Sequence, residues 1–265
     1  MTWEEYEVLE RPFGWKVEYW DGHARLTPRS AGVKTHLDLT SLVPIKHRNA
    51  QEYNLAAADA TYTDQMVAGY FETFADSIEF CDYPAEKVQE SAERDITNYF
   101  SEKRGEALPA SVIALAANTQ ELIGLALFVL REEHRPQLDL LYVRSPHQRK
   151  GIATAMLNHG IHHLSQANFK KLFSSYHICN NISRQWHHKQ GFKDIHDLYY
   201  LQIKVGWLNN EVWRREKLKP QANLDELRKK QEHFQTKLEE AERKRTEEFN
   251  RLIEEHKQNK APQQN

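Results

Sequence analysis

Leu138-Asp139-Leu140-Leu141-Tyr142-Val143-Arg144-Ser145-Pro146-His147-Gln148-Arg149-Lys150-Gly151-Ile152-Ala153 is the stretch on which the fold turns. Gln137 to Val143 reads as a buried strand, Ser145-Pro146 as a turn, and Ile152 to Leu164 as an amphipathic helix with apolar residues at 3.6-residue spacing. A polar loop with a single glycine joins strand to helix. At such a junction the first helical amides have no carbonyl partners, and the helix dipole adds partial positive charge. A pyrophosphate is the natural ligand for that combination. Gly151 lets phosphate oxygens approach the main chain without meeting a Cβ, Ala153 is small for the same reason, and Arg149 and Lys150 add local positive charge.

Outward from this segment, strands and helices mix. Ser111 to Ala117 and Leu122 to Leu130 are strongly apolar runs separated by Asn118-Thr119-Gln120, the pattern of paired antiparallel strands. After the motif helix, Leu172 to Ile178 predicts a strand, Ile182 to Lys189 a short helix and Leu198 to Val205 a last strand. Earlier, Leu37 to Ile45 predicts a strand, Asp64 to Phe80 a helix with Met66, Tyr70, Phe71, Phe74 and Ile78 on one face, and Pro84 opens a further helix carrying Val88, Ala92, Ile96 and Tyr99. Near the N-terminus, Asp21-Gly22 between Lys16–Trp20 and His23–Thr27 is a hairpin signal, expected to form an edge of the main sheet. Beyond Pro220 the chain becomes charge-laced. Leu224, Leu227, Phe234, Leu238, Ala241 and Leu252 fill a and d positions of a heptad frame that Gln231, Arg245 and Glu248 interrupt, which predicts a solvated or weakly self-associating helix. The expected partition is an N-terminal hairpin extension over 1–36, an α/β domain (mixed α+β) over 37–219, and a charged helical tail over 220–265.

The 265 residues, 40% of them hydrophobic and 28% charged, can bury a sizeable core. Lys and Arg number 36 against 38 Asp and Glu, so no global field favours nucleic acid or an anionic membrane. Met1 to Glu10 carries glutamates and no basic stretch, and no apolar run reaches the roughly 18 residues of a membrane span. Cys81 and Cys179 supply no disulfide framework, so the expectation is a cytoplasmic protein in a reducing compartment.

Gln148-x-x-Gly151-x-Ala153 resembles the Gln/Arg-x-x-Gly-x-Gly/Ala signature of the GNAT family of acyl-CoA-dependent N-acyltransferases, in that family's context of a strand before and a long helix after. Asn180 to Phe192 is similar to the family's later segment, with Asn180, Ser183, Trp186-His187 and Gly191-Phe192 in family order. The resemblance implies a GNAT-like central sheet, mixed but mostly antiparallel, with flanking helices, and transfer of an acetyl group from acetyl-CoA to a primary amine in a ternary complex, with no metal. It implies that the pyrophosphate lies on the amides of Arg149, Lys150, Gly151, Ile152, Ala153 and Thr154 beside Gln148. Pantetheine would run between two splayed strands, bonded by Asn180 and by the amides of Leu141, Tyr142 and Val143, which would also polarise the thioester carbonyl. Asp139 matches the place where some members carry a general base. His187 stands where many carry a tyrosine that protonates the departing thiolate, a departure from the pattern.

Other signals are weaker. His159 and His163 share a helix face, but no Glu or Cys completes a zinc site. Cys179 beside His177 reads as a buried, inert thiol. The hairpin is also similar to the opening of a restriction-endonuclease-like nuclease, whose Glu-x-Lys on a later core strand this chain lacks. A different alternative is a non-catalytic CoA-binding or scaffold module that meets a partner, or a second copy as a weak homodimer, through its C-terminal helix.

Overall fold

The structure, a computed structural model, describes residues 1–40, 52–218 and 223–260. In chain order the elements are α1 (Trp3–Glu7), β1 (Trp15–Trp20), β2 (His23–Pro28), β3 (Gly32–Asp38), β4 (Tyr53–Ala57), α2 (Thr63–Phe74), α3 (Ala85–Phe100), β5 (Glu106–Ala107), β6 (Val112–Ala116), β7 (Leu122–Arg131), β8 (Arg135–Val143), α4 (Ile152–Gln166), β9 (Lys171–His177), α5 (Asn181–Lys189), β10 (Lys193–Asp194), α6 (Leu198–Lys217) and α7 (Leu224–Lys260). By packing they fall into two compact units, Gly32–Ile195 and the combination of Met1–Ala31 with His196–Asn265. The first strand of the sheet starts at Gly32, and α6 packs with α7.

The larger unit is mixed α+β, built on an eight-stranded sheet of order β10-β3-β9-β8-β7-β6-β4, with β5 added on β7. Every pairing is antiparallel except that of β8 with β9. All five residues of β6 are buried, as a strand covered on both faces requires. On one face, Ile152, Met156 and Leu157 of α4 pack over Ile123, Phe128 and Leu172. On the other, Met66 and Tyr70 of α2 and Ala92 and Ile96 of α3 pack over Ile113, Leu125 and Leu127. Helix α4 lies directly on the sheet because Gly160 has no side chain: a Cβ there would sit 2.3 Å from the Phe128 ring.

One residue breaks the sheet's regularity. Leu140 of β8 pairs with Leu127 of β7, but Leu138 pairs with the next residue, Phe128, so Asp139 is an extra residue in β8, a β-bulge. Leu138 then faces the α4 side, whereas Leu140 and Tyr142 face α2 and α3. The parallel ladder between β8 and β9 consists of a single pair, Gln137 with Phe173, just before the bulge. Beyond it the two strands run on without pairing.

The smaller unit holds α1, the hairpin and two long helices. Asp21 and Gly22 both adopt left-handed backbone (φ +45° and +75°) and close a two-residue turn between Trp20 and His23. The hairpin forms a two-stranded sheet of its own, which corrects the expectation that it edges the main sheet. It is supported by α1 instead, where the Tyr6 hydroxyl donates to the Val17 carbonyl (2.9 Å) and Trp3, Tyr6 and Tyr19 form a ring cluster. A capping box of Thr2 and Glu5 starts α1.

The segment predicted as a last strand, Leu198 to Val205, is the first part of α6. Leu201, Val205, Leu208 and Val212 are buried at helical spacing, and Asp197 caps the helix by accepting from the Tyr200 amide at 3.0 Å. The strand-like alternation of Leu201, Ile203 and Val205 is embedded in that longer period. Helix α7 runs antiparallel to α6, with Arg228 meeting Glu216, Gln231 meeting Asn209, and Leu238 packing on Leu201 and Val205. The tail is therefore docked over its first half, while Phe249 and Leu252 further along are exposed. The strand expected over Leu37 to Ile45 ends at Asp38, and the part of that expectation beyond residue 40, like the boundary at Pro220, lies outside the described residues.

Candidate active site

β8 ends at Val143, a short turn over Ser145–His147 follows, and α4 begins at Ile152. Two residues of the loop, Arg149 (φ +61°) and Gly151 (φ +83°), take left-handed backbone. Gly151 is needed there: its conformation disfavours a side chain, and nothing lies within 4 Å of where a Cβ would stand, so the space over the helix start is clear. Gly151 precedes α4 without a side-chain cap, leaving the amides of Ile152, Ala153 and Thr154 uncapped at the positive end of the helix dipole. Gln148 folds back, its amide donating to the Val143 carbonyl at 2.9 Å, and ties the loop to the strand it leaves. Arg149 and Lys150 are exposed, Lys150 within 3.8 Å of Glu52. Arg144 anchors the other end of the loop by ion pairs to Glu72 (2.6 Å) and Glu121.

Leu141, Tyr142 and Val143 pair with β7 on one edge, and their other edge faces the gap left by β9. Tyr142 turns toward α2 and donates to the Met66 carbonyl at 2.7 Å; burial pushes its phenol far above the ordinary tyrosine range, so it stays protonated.

The residues expected to handle protons are differently placed. Asp139, with only 2% of its side chain exposed, accepts from Arg104 Nε at 2.5 Å on one oxygen and from Arg131 Nη2 at 2.7 Å on the other. His187 is buried on α5, its Nδ1 donating to the Ser183 carbonyl (2.8 Å) and its Nε2 lying 3.0 Å from the Ser174 hydroxyl. Burial holds its pKa below the usual histidine value, so it is a neutral imidazole with both nitrogens engaged. Asn180 caps α5 through Oδ1, which accepts from the Ser183 amide at 2.9 Å, and its Nδ2 donates to Glu79 Oε1 at 2.7 Å.

Glu79 is one of several acids, with Asp64, Glu72 and Asp76, that the sequence offers equally as lining for a cationic substrate or as a solvated helix face, without a role in proton transfer. The helix expected over Asp64 to Phe80 ends at Phe74, so Glu79 sits in the connection between α2 and α3. Its second oxygen, Oε2, is buried with no hydrogen-bond partner among the described residues, as is the hydroxyl of nearby Ser77. His177, at the end of β9, lies in its field: burial lowers the His177 pKa and Glu79 partly opposes that. The Cys179 amide donates to His177 Nδ1 (3.3 Å), which puts the neutral ring's proton on Nε2. Among the described residues no three His, Cys, Asp or Glu side chains gather as a metal site needs, and no helix is long and apolar enough to cross a membrane.

The sequence profile described as the acetyltransferase (GNAT) family matches residues 72–192. That segment, which contains the loop, the parted strands and the Asn180 cap, is a GNAT acetyltransferase domain. Similar solved structures include a GCN5-related N-acetyltransferase from Sphaerobacter thermophilus (12% identity, covering 62% of this chain and 48% of that one, TM-score 0.47). A tandem GNAT protein from the clavulanic acid biosynthesis pathway (15%, 62% and 50%, TM-score 0.45) and a GNAT-family acetyltransferase from Staphylococcus aureus (14%, 54% and 85%, TM-score 0.43) are also similar. The chain spans about half the length of the first two. No curated protein sequence matches it.

Proposed function

We propose that the chain transfers an acetyl group from acetyl-CoA to a primary amine within a ternary complex. The observation that carries this reading is the uncapped start of α4 behind a left-handed Gly151, at the mouth of two parallel strands that part after one ladder pair. The amides of Ile152, Ala153 and Thr154 suit a pyrophosphate, and the free edge of Leu141 to Val143 suits an amide-rich pantetheine and the thioester carbonyl. The amine nitrogen bonds to the acetyl carbon, the C–S bond breaks, the ammonium loses a proton and the thiolate gains one from water.

Glu79 is the proton acceptor in this reading. Both oxygens of Asp139 already accept from guanidinium groups, whereas Glu79 keeps one carboxylate oxygen without a partner among the described residues. Gln148 and Asn180 act as loop staple and helix cap, and His187 as a packing residue.

Titration calorimetry with acetyl-CoA, followed by turnover with a panel of amines, tests the proposal. Gly151→Glu fills and charges the loop and is expected to abolish binding. Glu79→Gln is expected to lower kcat about 100-fold or more with the KM for acetyl-CoA unchanged, the size of a lost general base. Undiminished acetyl-CoA affinity in folded Gly151→Glu would refute the loop assignment. Binding without turnover of any amine would favour the scaffold alternative.

A further inference from the structure

The motif does not account for a cavity of about 770 Å³ in the larger unit, lined by the beginnings of β8 and β9, by β3, by the end of β7 and by the segment after α3. Gln137 marks its place on β8, six residues before the strand's end at Val143, so it lies roughly 20 Å along the strand from the α4 loop at about 3.3 Å per residue. Its five basic residues come from four separate segments: Lys34 from β3, Lys103 and Arg104 after α3, Arg131 at the end of β7 and Arg135 at the start of β8. The acids of its lining, Glu102, Glu132 and Glu133, are all exposed, and Glu133 reaches Arg135 only at 4.0 Å.

Two residues of its lining each carry a buried polar atom with no partner among the described residues: Arg131, through Nε, and Thr35, a residue with no exposed surface, through its hydroxyl. Both can donate. A buried donor without an acceptor is costly, more so on a charged group, and one explanation is a bound molecule that supplies acceptor oxygens. Arg135 lies face-on over the Phe173 ring at 4.4 Å, an arrangement that fixes the plane of its guanidinium fork. Asp139 takes one nitrogen of Arg131 and one of Arg104, so it holds both guanidiniums in place.

We propose that this cavity binds a small molecule carrying an oxyanion, a phosphate or a carboxylate, held by Lys34, Arg131 and Arg135. The proposal does not depend on the acetyl-transfer reading, since it uses the opposite end of β8. A cavity of this size takes a metabolite larger than the anion itself, with Phe173 offering an apolar surface.

The test is calorimetric titration of the full chain, at constant ionic strength, with inorganic phosphate and separately with malonate. Lys34→Gln combined with Arg135→Gln alters two side chains that reach solvent, and circular dichroism checks that the variant is folded. Saturable binding of either probe is expected, weakened at least tenfold in the double variant and unchanged in Gly151→Glu. Phosphate alone binding assigns the phosphate group, and malonate alone the carboxylate. Loss of binding in Gly151→Glu but not in the double variant would put the anion at the α4 loop and overturn the proposal, as would the absence of saturable binding of both probes.

Discussion

Replacing Asp139 by Asn separates a residue that holds the sheet from one that carries a proton. The substitution keeps the shape and removes the charge. In the native chain the carboxylate is 2% exposed and meets two guanidiniums at 2.5 and 2.7 Å. Breaking a buried ion pair by removing one partner costs about 3–5 kcal/mol when the other charge is left buried. Here Arg104 and Arg131 keep 27% and 40% of their side-chain exposure, and Arg104 retains Asp95 at 3.0 Å, so water and that second acid take up part of the loss. The expected destabilisation is therefore about 2–3 kcal/mol, below the fully buried case. At about 2–4 °C per kcal/mol for a domain of this size, the melting temperature falls by roughly 4–12 °C.

Urea denaturation followed by tryptophan fluorescence measures the free energy. A companion set, Arg131→Gln and Arg131→Gln with Asp139→Asn, shows whether the charges are coupled: the pair is expected to lose less than the sum of its single variants. If Asp139→Asn unfolded within about 0.5 kcal/mol of the native chain, a surface-like effect, while losing turnover about 100-fold, the size of a lost general base, the structural account of Asp139 would be wrong. It would then return to the role of base.

Acidification should destabilise the chain before its carboxylates titrate. His159, His177 and His187 all have pKa values lowered chiefly by burial, so below the unfolded value near 6.5 the unfolded chain takes up protons that the folded chain refuses. Stability is full above that pH and is lost as pH falls, by at most about 1.4 kcal/mol per pH unit for buried His187; denaturation curves from pH 7.5 to 5.5 that stay flat would contradict the assignment. Gly160→Ala should cost about 1–3 kcal/mol by overpacking, because its Cβ would lie 2.3 to 2.8 Å from three ring atoms of fully buried Phe128. An unaltered urea midpoint would show that α4 shifts at little cost.

The parts of the fold legible in the sequence are those set by local signals: continuous apolar runs for β6 and β7, the Asp-Gly turn, and the strand-loop-helix passage at Gly151. Long-range facts were not legible. That β1 and β2 rest on α1 is decided by Tyr6 and Tyr19 meeting across the hairpin, which no periodicity announces. The α6 error has a definable cause, since the Asp197 cap and the buried positions continuing to Val212 were both present in the sequence and outweigh a short alternation. At the site, the residue types of the α4 loop were readable because backbone geometry there demands glycine. The surroundings of Asp139 and Glu79 were not, because Arg104 and Asn180 reach them from 35 and 101 residues away.

The bulge ties these observations into one account of why β8 and β9 part. An extra residue in β8 turns Leu140 and Tyr142 to the α2 and α3 side, and β9, which pairs in unbroken register with β3, has no bulge to match it. The parallel ladder stops at Gln137, two residues before Asp139. A bulge of this kind would be free to slide along its strand were its side chain not held. The two arginines, arriving from the end of β7 and from beyond α3, hold it. The acid at the bulge is thus committed to the sheet, and in the proposed transfer the proton acceptor comes from outside it. Glu79, carried on the connection between α2 and α3 and tied to the start of α5 through Asn180, is the acceptor we propose.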